Sequence, residues 1–198
     1  AALDDLDGDK AIIVTGGGEL ARKYQSSYCD LVKNPGADAQ DWIGIAATRL
    51  HGELLRHLFA PDCIAPLIID PTAVDDFPGR VMIAAGWKPG FSTDYDAVLL
   101  AERFQSNTVI KLSNVMTIYS GDPKLDPDAR PLSRLTWEQL GQMNKSEWQP
   151  GTHLPFDPVA TKAADQQGLT VIFTGSDTAN LRAIMDGRPY IGTTISPT

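Results

Sequence analysis

Residues 11–24 read AIIVTGGGELARKY, an apolar run, three consecutive glycines and a helix-forming segment. This order predicts a strand, a tight turn at Gly16, Gly17 and Gly18, and a helix that begins directly after the glycines. Because glycine has no Cβ and the first N–H groups of a helix lack intrahelical partners, such a turn can hold an anion. Arg22 could add a bidentate contact to a phosphate. The pattern is neither a Walker A loop nor GxGxxG, and a tight turn without a ligand fits these residues equally well.

The composition describes an acidic chain of ordinary domain size. Its 198 residues are 42% hydrophobic and carry a formal net charge of −8. We therefore expect one domain with a buried core, and the negative charge argues against nucleic acid or an anionic membrane as a partner. Without a signal-peptide pattern or an apolar run near the roughly 20 residues of a membrane span, the sequence predicts a soluble, cytoplasmic protein. Cys29 and Cys63 are predicted to be free thiols, with a disulfide as the alternative, and the three scattered histidines predict no metal site.

Strands and helices are predicted to alternate along the chain. The predicted strands are residues 11–15, 65–69, 80–85, 108–112, 169–174 and 192–195, the last at an edge of the sheet. The predicted helices are a helix tail in 1–10, then 19–33, 41–59, 71–77, 93–104, 136–143 (with a capping box), 157–167 and 180–185, with a loop at 144–155. The alternation predicts an α/β fold, a three-layer α/β/α sandwich with a mainly parallel central sheet. Since ligands of such folds lie at the carboxyl ends of strands, we expect the loops 15–18, 86–94 and 113–122 to share one site.

The predicted helix 41–59 has two distinct faces. Its predicted buried face consists of five apolar residues at helical spacing, Ile43, Ala47, Leu50, Leu54 and Leu58. A second stripe of small or polar residues contains Asp41, Gly44, Thr48 and His51. This stripe is either a solvated face with Asp41 as the N-cap, or a face turned towards a ligand pocket. Gly44 favours the pocket, because a glycine inside a helix costs about 0.8–1.0 kcal/mol relative to alanine.

The segment 86–94, GWKPGFSTD, is a polar loop that leads into a helix. Ser92, Thr93 and Asp94 are all residues that commonly begin helices, but a single cap needs only one of them. We therefore expect this loop to contact a ligand.

In this order the segments resemble the amino acid kinase family, most closely its uridylate (UMP) kinases of the archaeal type. The matching motifs extend over almost the whole chain. They are TGGGELARKY at 15–24, DWIGIAATRLHGELL at 41–55, GWKPGFSTDYDAVLLAE at 86–102, LSNVMTIYSGDPKLDPDA at 112–129, LTWEQL at 135–140, FDPVATKAA at 156–164 and GTTI at 192–195.

The resemblance implies a nucleoside monophosphate kinase of pyrimidine nucleotide biosynthesis that uses ATP and Mg²⁺ to convert UMP into UDP. It implies a single domain, residues 1–198, with an acceptor-binding part at about 1–105 and a nucleotide-binding part at about 106–198. It also implies a homo-oligomer, a hexamer built from dimers. Positioning and charge neutralisation dominate phosphoryl transfer, and Arg22, Lys88 and Lys111 are the candidate cations.

The resemblance further implies roles for individual residues. For the UMP acceptor these are Gly16, Gly17, Gly18 and Arg22 at the phosphate, Asp41 at the ribose, Gly44 and Thr48 along the pocket, and Ser92, Thr93 and Asp94 at the phosphate and transfer zone. For the ATP donor they are Lys111, Ser113, Asn114, Tyr119 and Asp122. Asp157 would lie near the phosphates, where the family uses a carboxylate to orient lysine or magnesium. Arg22, Asp94 and Asp157 are the predicted catalytic residues, and no specific metal ligand is predicted.

Three departures from the family pattern leave alternatives open. The family begins with a Lys-x-Gly/Ser-Gly strand that does not precede Ala1 here, so we expect either a longer chain or the loss of that half of the site. Met116-Thr117 removes a carboxylate and a turn glycine from the donor loop, while His51 and Trp87-Lys88 change the acceptor part. The alternatives are a relative that binds nucleotides or oxyanions with reduced catalysis, and a kinase for another small phosphate or carboxylate.

Overall fold

A computed structural model describes residues 10–147 and 154–197, so the predicted helix tail lies outside the described residues except for Lys10. The chain divides into two compact units, one ending at Leu100 and one beginning at Ala101. The first contains β1 (Ala11–Val14), α1 (Gly18–Leu31), α2 (Ala37–Leu58), β2 (Val81–Ala84) and most of α3 (Thr93–Arg103). Strands and helices alternate in this unit, as an α/β fold requires.

The first unit is built around a parallel pair of strands. β1 and β2 run in register, with Ala11 opposite Val81 and Val14 opposite Ala84, and all four residues of β2 are buried. Ile68 adds an isolated parallel bridge to Ala84. The carboxyl ends of β1 and β2 therefore lie at the same edge, and the loops that follow them begin there.

Two elements predicted between α2 and β2 are wrong. The predicted strand 65–69 contributes only the bridge at Ile68, since the neighbouring Pro66 has no N–H to donate. The predicted helix 71–77 is a series of turns. Asp70 Oδ1 accepts a hydrogen bond from the Thr72 N–H at 2.9 Å, a local bond that favours a turn over a helix.

Helix α2 buries a different face from the one that its leucines predict. Its buried residues are Ile45, Ala47, Thr48 and Gly52. Three predicted core residues are exposed, with exposed fractions of 62% for Leu50, 58% for Leu54 and 66% for Leu58. A Cβ on Gly52 would lie 2.5 Å from a Leu67 methyl, so the segments packed on this face approach too closely for large side chains. The buried face of α2 thus combines Thr48 of the small, polar stripe with Ile45, Gly52 and Ala47, the one buried member of the predicted apolar face.

The second unit contains a mixed sheet. Its elements are β3 (Thr108–Ser113), β4 (Ile118–Tyr119), β5 (Pro131–Leu132), β6 (Arg134–Thr136), α4 (Trp137–Glu147), α5 (Pro158–Gln166), β7 (Thr170–Gly175), α6 (Thr178–Met185) and β8 (Thr193–Ser196). The strand order is β3-β7-β8-β6, with β3-β7 and β6-β8 parallel and β7-β8 antiparallel, while β4 and β5 form a separate antiparallel pair. β8 thus lies inside the sheet, and its predicted edge position is wrong. Sequence analysis missed β4, β5 and β6, which are too short to show a period.

Side chains fix the start of α4 as predicted. The capping box of α4 is confirmed, since the Gln139 N–H donates to Thr136 Oγ1 at 3.1 Å and the Thr136 N–H donates to Gln139 Oε1 at 2.8 Å. Part of the predicted loop 144–155 is helical, because α4 continues to Glu147, and residues 148–153 lie outside the described residues.

Two predictions about the chain as a whole also have an outcome. The alternation of helices with mostly parallel strand pairs confirms the predicted α/β class. Cys29 and Cys63 are free thiols, as predicted. In the part of the chain that the structure describes, no helix has the length and apolar character needed to cross a membrane.

Candidate functional site

The glycine turn connects the end of β1 to the start of α1. Thr15 is buried, its N–H donates to the Ala84 carbonyl at 2.9 Å, and its hydroxyl donates to the Thr48 carbonyl at 2.9 Å. Gly17 is the N-cap of α1 and provides no side-chain cap, so amide groups of the first turn are available to an anion. Gly18 begins the helix with φ +58°, a conformation that favours glycine.

Two side chains of α2 hold the loop that follows β2. Thr48 Oγ1 accepts a hydrogen bond from the buried Gly86 N–H at 2.8 Å. Asp41 Oδ2 accepts one from the Gly90 N–H, also at 2.8 Å. The N-cap of α2 is Gly36, so the interpretation of Asp41 as an N-cap on a solvated face is wrong. The stripe faces the loop 86–90, at the carboxyl end of β2.

The same stripe also reaches the glycine turn. His51 Nδ1 lies 2.9 Å from the Gly16 carbonyl oxygen, which can only accept, so this ring nitrogen carries the proton. Gly44 lies between α2 and α1, where a Cβ would be 2.8 Å from Gln25 Nε2. The room at Gly44 is thus filled by the Gln25 amide, and its predicted place along a pocket stays a prediction.

Arg49 is a positioning residue that sequence analysis missed. Its guanidinium donates to the Gly86 carbonyl, at 3.4 and 3.3 Å, and to the Trp87 carbonyl at 3.0 Å, and it lies 5.8 Å from the centre of the Trp42 ring. Arg49 thus binds backbone carbonyl groups of the loop, and Thr48 binds the Gly86 N–H of the same loop. Helical spacing did not predict these contacts, because Arg49 is adjacent to Thr48 and belongs to neither predicted face of α2.

Aromatic side chains brace the outer part of this loop. The rings of Trp87 and Phe91 are 5.1 Å apart, and those of Phe91 and Tyr95 are 5.2 Å apart and stacked. Lys88 Nζ lies 3.7 Å from the centre of the Trp87 ring. The cation of Lys88 is therefore held over an aromatic face, where the attraction amounts to about 0.5–1 kcal/mol at an exposed site.

The predicted Ser-Thr-Asp cluster forms the start of α3. Ser92 Oγ accepts a hydrogen bond from the Tyr95 N–H at 3.2 Å, so Ser92 is the cap. Thr93 and Asp94 occupy the first helical turn and are half-buried. Capping thus accounts for Ser92, and its contact with a ligand stays a prediction together with those of Thr93 and Asp94.

Asp96 is a buried carboxyl at the loop that sequence analysis also missed. Its side chain is 1% exposed, Oδ2 accepts a hydrogen bond from the Trp87 N–H at 3.2 Å, and Oδ1 has no hydrogen-bond partner among the described residues. Burial, together with the nearby charges of Asp70 and Asp94, raises the pKa of Asp96 to about 6. A signal was present in the sequence, because Asp96 is four residues before the buried Leu100 and therefore lies on the apolar face of α3.

The pKa of Asp70, a carboxyl near the same loop, is shifted in the opposite direction. Two hydrogen bonds from Thr72, one from its N–H and one from its hydroxyl, lower the pKa of Asp70, and the Trp87 side chain and the charge of Lys88 lower it further. Asp70 therefore stays ionised under conditions in which Asp96 takes up a proton.

The predicted donor residues begin at the carboxyl end of β3. Lys111 and Ser113 share one face of this strand, since they are two residues apart. Ser113 pairs with Gly175 at the end of the parallel strand β7, and its hydroxyl lies 3.4 Å from Asn114 Oδ1. Lys111, Ser113 and Asn114 thus lie at the edge of the sheet where ligands bind in open α/β folds.

Tyr119 and Asp122 lie farther along the same connection. Tyr119 is in β4, opposite Pro131, and Asp122 Oδ1 accepts a hydrogen bond from the Lys124 N–H at 2.9 Å in an exposed turn. Asp157 is the N-cap of α5 and accepts from the Ala160 N–H at 2.8 Å. A capping role thus accounts for one oxygen of Asp157.

The Met116-Thr117 departure is integrated into the packing of the second unit. Thr117 is buried, and its Oγ1 lies 2.8 Å from Thr193 Oγ1. The Ile118 N–H donates to the same Thr193 oxygen at 2.9 Å. Met116 lies against Gly175, where its sulfur occupies the room a Cβ would need. A hydroxyl network therefore holds this loop in the absence of the family's aspartate and glycine.

Hydrogen bonds of α2 join part of the predicted acceptor set. Asp41 and Thr48 accept from the loop after β2, and His51 contacts Gly16 in the glycine turn, while Arg22 is exposed one turn into α1. Among residues 10–147 and 154–197, no group of three or more His, Cys, Asp or Glu side chains is arranged to hold a metal ion.

Comparisons with known proteins identify the family of this chain. Residues 1–175 match the model of the amino acid kinase family. The uridylate kinase of Pyrobaculum islandicum is 33% identical, a match that covers 90% of this chain and 82% of the relative. The uridylate kinase of Pyrobaculum neutrophilum is 34% identical, a match that covers 91% of this chain and 83% of the relative. The crystal structure of uridylate kinase from Archaeoglobus fulgidus superposes with a TM-score of 0.84 at 30% identity, covering 98% of this chain and 89% of that chain.

Proposed function

Because the chain belongs to the amino acid kinase family, we propose that it transfers the γ-phosphoryl group of ATP to UMP, giving ADP and UDP. The observation that carries this proposal is a pair of hydrogen bonds that hold the loop after β2. The Gly86 N–H donates to Thr48 and the Gly90 N–H donates to Asp41, both on α2. The relatives with this sequence pattern are uridylate kinases. The activity of these relatives supports UMP as the acceptor.

The acceptor phosphate binds at the amino end of α1. The amides after Gly17 and the guanidinium of Arg22 neutralise its charge, and Asp41 holds the ribose. In the reaction an oxygen of the UMP phosphate bonds to the γ-phosphorus of ATP, while the bond to the bridging oxygen breaks and the electron pair leaves with ADP. The protein contributes alignment and charge neutralisation rather than covalent chemistry.

The donor nucleotide binds to the second unit. Lys111 and Ser113, at the carboxyl end of β3, contact its phosphates, and Tyr119 and Asp122 contact the rest of the nucleotide. The same unit contains an open cleft of about 390 Å³, lined by residues that include Met116, Asn180 and Tyr190. The acceptor-binding part at about 1–105 and the nucleotide-binding part at about 106–198 follow from this assignment, and the division of the chain at Leu100 and Ala101 supports it.

Mg²⁺ fits the residues present as a companion of the donor phosphates. Kinases usually hold this ion with one or two carboxylates and the phosphate oxygens of the substrate, and Asp157 uses one carboxylate oxygen to cap α5. Asp157 is the carboxylate that would hold the ion. When bound, the ion supplies neutralisation of the phosphate charge.

Release of ADP in the presence of ATP, Mg²⁺ and a panel of nucleoside monophosphates tests the proposed function. We expect UMP to be the preferred acceptor. In R22A we expect kcat/KM for UMP to fall by about 10- to 100-fold, because a charged hydrogen bond to phosphate is lost. K23A is the matched control, since Lys23 is the next exposed cation of α1, and it should change kcat/KM by less than about twofold. No turnover with any monophosphate, or equal losses in R22A and K23A, would contradict the proposal.

A second candidate function keeps the kinase chemistry and changes the acceptor. It is favoured by the Lys88 cation, which the Trp87 ring holds at the loop after β2, where the family pattern has a small residue and an acidic one. A positive group at this place suits an acceptor with an additional anionic group. In the same panel, extended to small phosphates and carboxylates, turnover of such a compound with UMP inert would select this function.

We also propose that the chain forms homo-oligomers, a hexamer as the resemblance implies. Leu50, Leu54 and Leu58 make an exposed apolar stripe along α2, and a second copy of the chain would cover it. Sedimentation velocity of the wild-type protein and of L54E tests this assignment. We expect L54E to sediment as a smaller species, and a wild-type monomer would contradict it.

A further inference from the structure

Asp96 is a buried acid whose hydrogen bond reaches the backbone of the acceptor loop. Its side chain is 1% exposed, and charged carboxylates are rarely buried this deeply unless they are paired. No cation is paired with it in the described part of the chain, and its partner is the Trp87 N–H, 3.2 Å from Oδ2.

Three side-chain oxygens hold the amides of this loop. Thr48 accepts from Gly86 and Asp41 from Gly90, both from α2, while Asp96 accepts from Trp87 and belongs to α3. Trp87 is thus the amide that ties the loop to the helix it leads into. Of the three acceptors, Asp96 is the buried one that can change its charge.

The second oxygen of Asp96 makes the charged form costly. Oδ1 is buried without a hydrogen-bond partner among the described residues. An ionised carboxyl therefore lacks solvation at one oxygen, whereas the neutral carboxyl can place its proton there. The neutral form holds the Trp87 N–H less strongly, since a hydrogen bond to an ionised group is roughly twice as strong as a neutral one.

The charged groups around Asp96 come from every element packed on the loop. Asp70, from the segment after Ile68, and Asp94, from α3 itself, raise the pKa of Asp96. Lys88 belongs to the loop and acts on Asp70, and Arg49 of α2 bonds the Trp87 carbonyl. The pKa of about 6 places the change of charge within the range in which enzymes operate.

We propose that Asp96 is a positioning residue for the acceptor: its carboxylate fixes the Trp87 amide and with it the loop that enters α3, and protonation loosens that hold. The inference rests on the proposed function, because it takes the loop 86–94 as part of the UMP site. It identifies a proton-dependent control of acceptor affinity that acts through the backbone of Trp87.

The amide signal of Trp87 reports directly on this bond. We suggest titrating protein labelled with ¹⁵N-tryptophan between about pH 5 and 8, with the Trp87 signal assigned through W87F. In the wild-type protein we expect the Trp87 amide shift to titrate with a midpoint of about 6. In D96N it should not titrate, because the amide oxygen of asparagine still accepts the bond and carries no charge. D70N should move the midpoint to lower pH, since it removes a charge that raises the pKa of Asp96.

Calorimetric titration with UMP connects the bond to acceptor binding. At about pH 7.5 we expect D96N to bind UMP about fivefold more weakly than the wild-type protein, and D96A more weakly still. At about pH 5 the wild-type protein and D96N should bind UMP equally. The ratio of their two affinities at one pH is compared, because the titration of the UMP phosphate affects both proteins alike and cancels. D96N keeps the shape of the side chain, and an unchanged circular dichroism spectrum would exclude misfolding as the cause of weaker binding.

Each outcome separates the inference from the proposed function. A Trp87 amide that does not titrate, or that titrates equally in D96N, overturns the inference. The same affinity ratio at both pH values also overturns it, even if UMP is turned over. Binding of UMP with the expected pH dependence but without turnover contradicts the proposed function and supports the inference. No UMP binding at any pH contradicts both.

Discussion

Replacing Asp96 with asparagine should change how the stability of the protein depends on pH. Burial and two neighbouring carboxylates raise the pKa of Asp96 from 3.8 to about 6 in the folded chain. Between these values the folded chain holds a proton that the unfolded chain has released. Stability therefore falls as the pH rises through this window, and the loss is complete above the folded pKa.

The size of this effect follows from the shift. A difference of about two pKa units corresponds to about 3 kcal/mol, because one unit is about 1.4 kcal/mol. The side chain is almost fully buried, so solvent screens little of this energy. Relative to D96N, the wild-type protein should lose about 3 kcal/mol of unfolding free energy between about pH 3.5 and pH 7.5.

Urea unfolding at these two pH values, followed by circular dichroism, measures the effect. The difference between the wild-type protein and D96N at one pH is compared with their difference at the other, so the other titrating groups cancel. Asp70 contributes the opposite pH dependence, because its lowered pKa gives stability that is present at neutral pH and lost as the pH falls, and D70N should remove that contribution. A difference between the wild-type protein and D96N that is the same at both pH values would refute the reasoning.

Substitutions at three further positions each test a contact within one of the two units. T48V should destabilise the protein by about 1–3 kcal/mol in urea unfolding, because the buried Gly86 N–H loses its acceptor, while T48S should cost less than half of that. G17A should lower the free energy of unfolding by about 1–3 kcal/mol, since its Cβ would lie 2.5 Å from another side chain of α1. In G16A the new Cβ meets nothing within 4 Å, so stability should change little. Equal effects of the two substitutions would contradict the close packing at Gly17. D157A should lose about 1 kcal/mol with the cap of α5, and D157N should keep the cap but lower the rate of ADP release if the charge of Asp157 serves the phosphates.

The sequence predicted the strands and turns that carry strong local signals. The glycines after an apolar run placed β1 and α1 correctly, and the Thr136–Gln139 pair placed the start of α4. The segment 65–69 has the composition of a strand, but Pro66 interrupts it and has no N–H to pair. The short strands β4, β5 and β6 depend on tertiary pairing, which no local pattern reveals.

The face of α2 was the most instructive error. Leucines at helical spacing predict a buried stripe, yet Leu50, Leu54 and Leu58 are exposed, and Thr48 and Gly52 are buried. The neighbouring segments approach the helix too closely for leucine, as the contact between Gly52 and Leu67 shows. The helix therefore turns Thr48 and Gly52, together with Ile45, towards its own unit and presents Leu50, Leu54 and Leu58 outward.

The predicted site was easier to locate than to complete. Asp41 and Thr48 could be singled out from spacing, because polar residues recurring on one helix face indicate a shared environment. Arg49 and Asp96 act through the backbone of the loop that follows β2. Such contacts depend on the path of that loop in three dimensions, which spacing along a helix does not encode.

The most direct test of the central claim is the product balance of the wild-type protein with ATP, Mg²⁺ and UMP, followed by chromatography of the nucleotides. We expect UDP and ADP to form in a one-to-one ratio, and R22A, which lacks the exposed guanidinium of α1, to form both far more slowly. ADP without UDP, or no ADP at all, would contradict phosphoryl transfer to UMP by this chain.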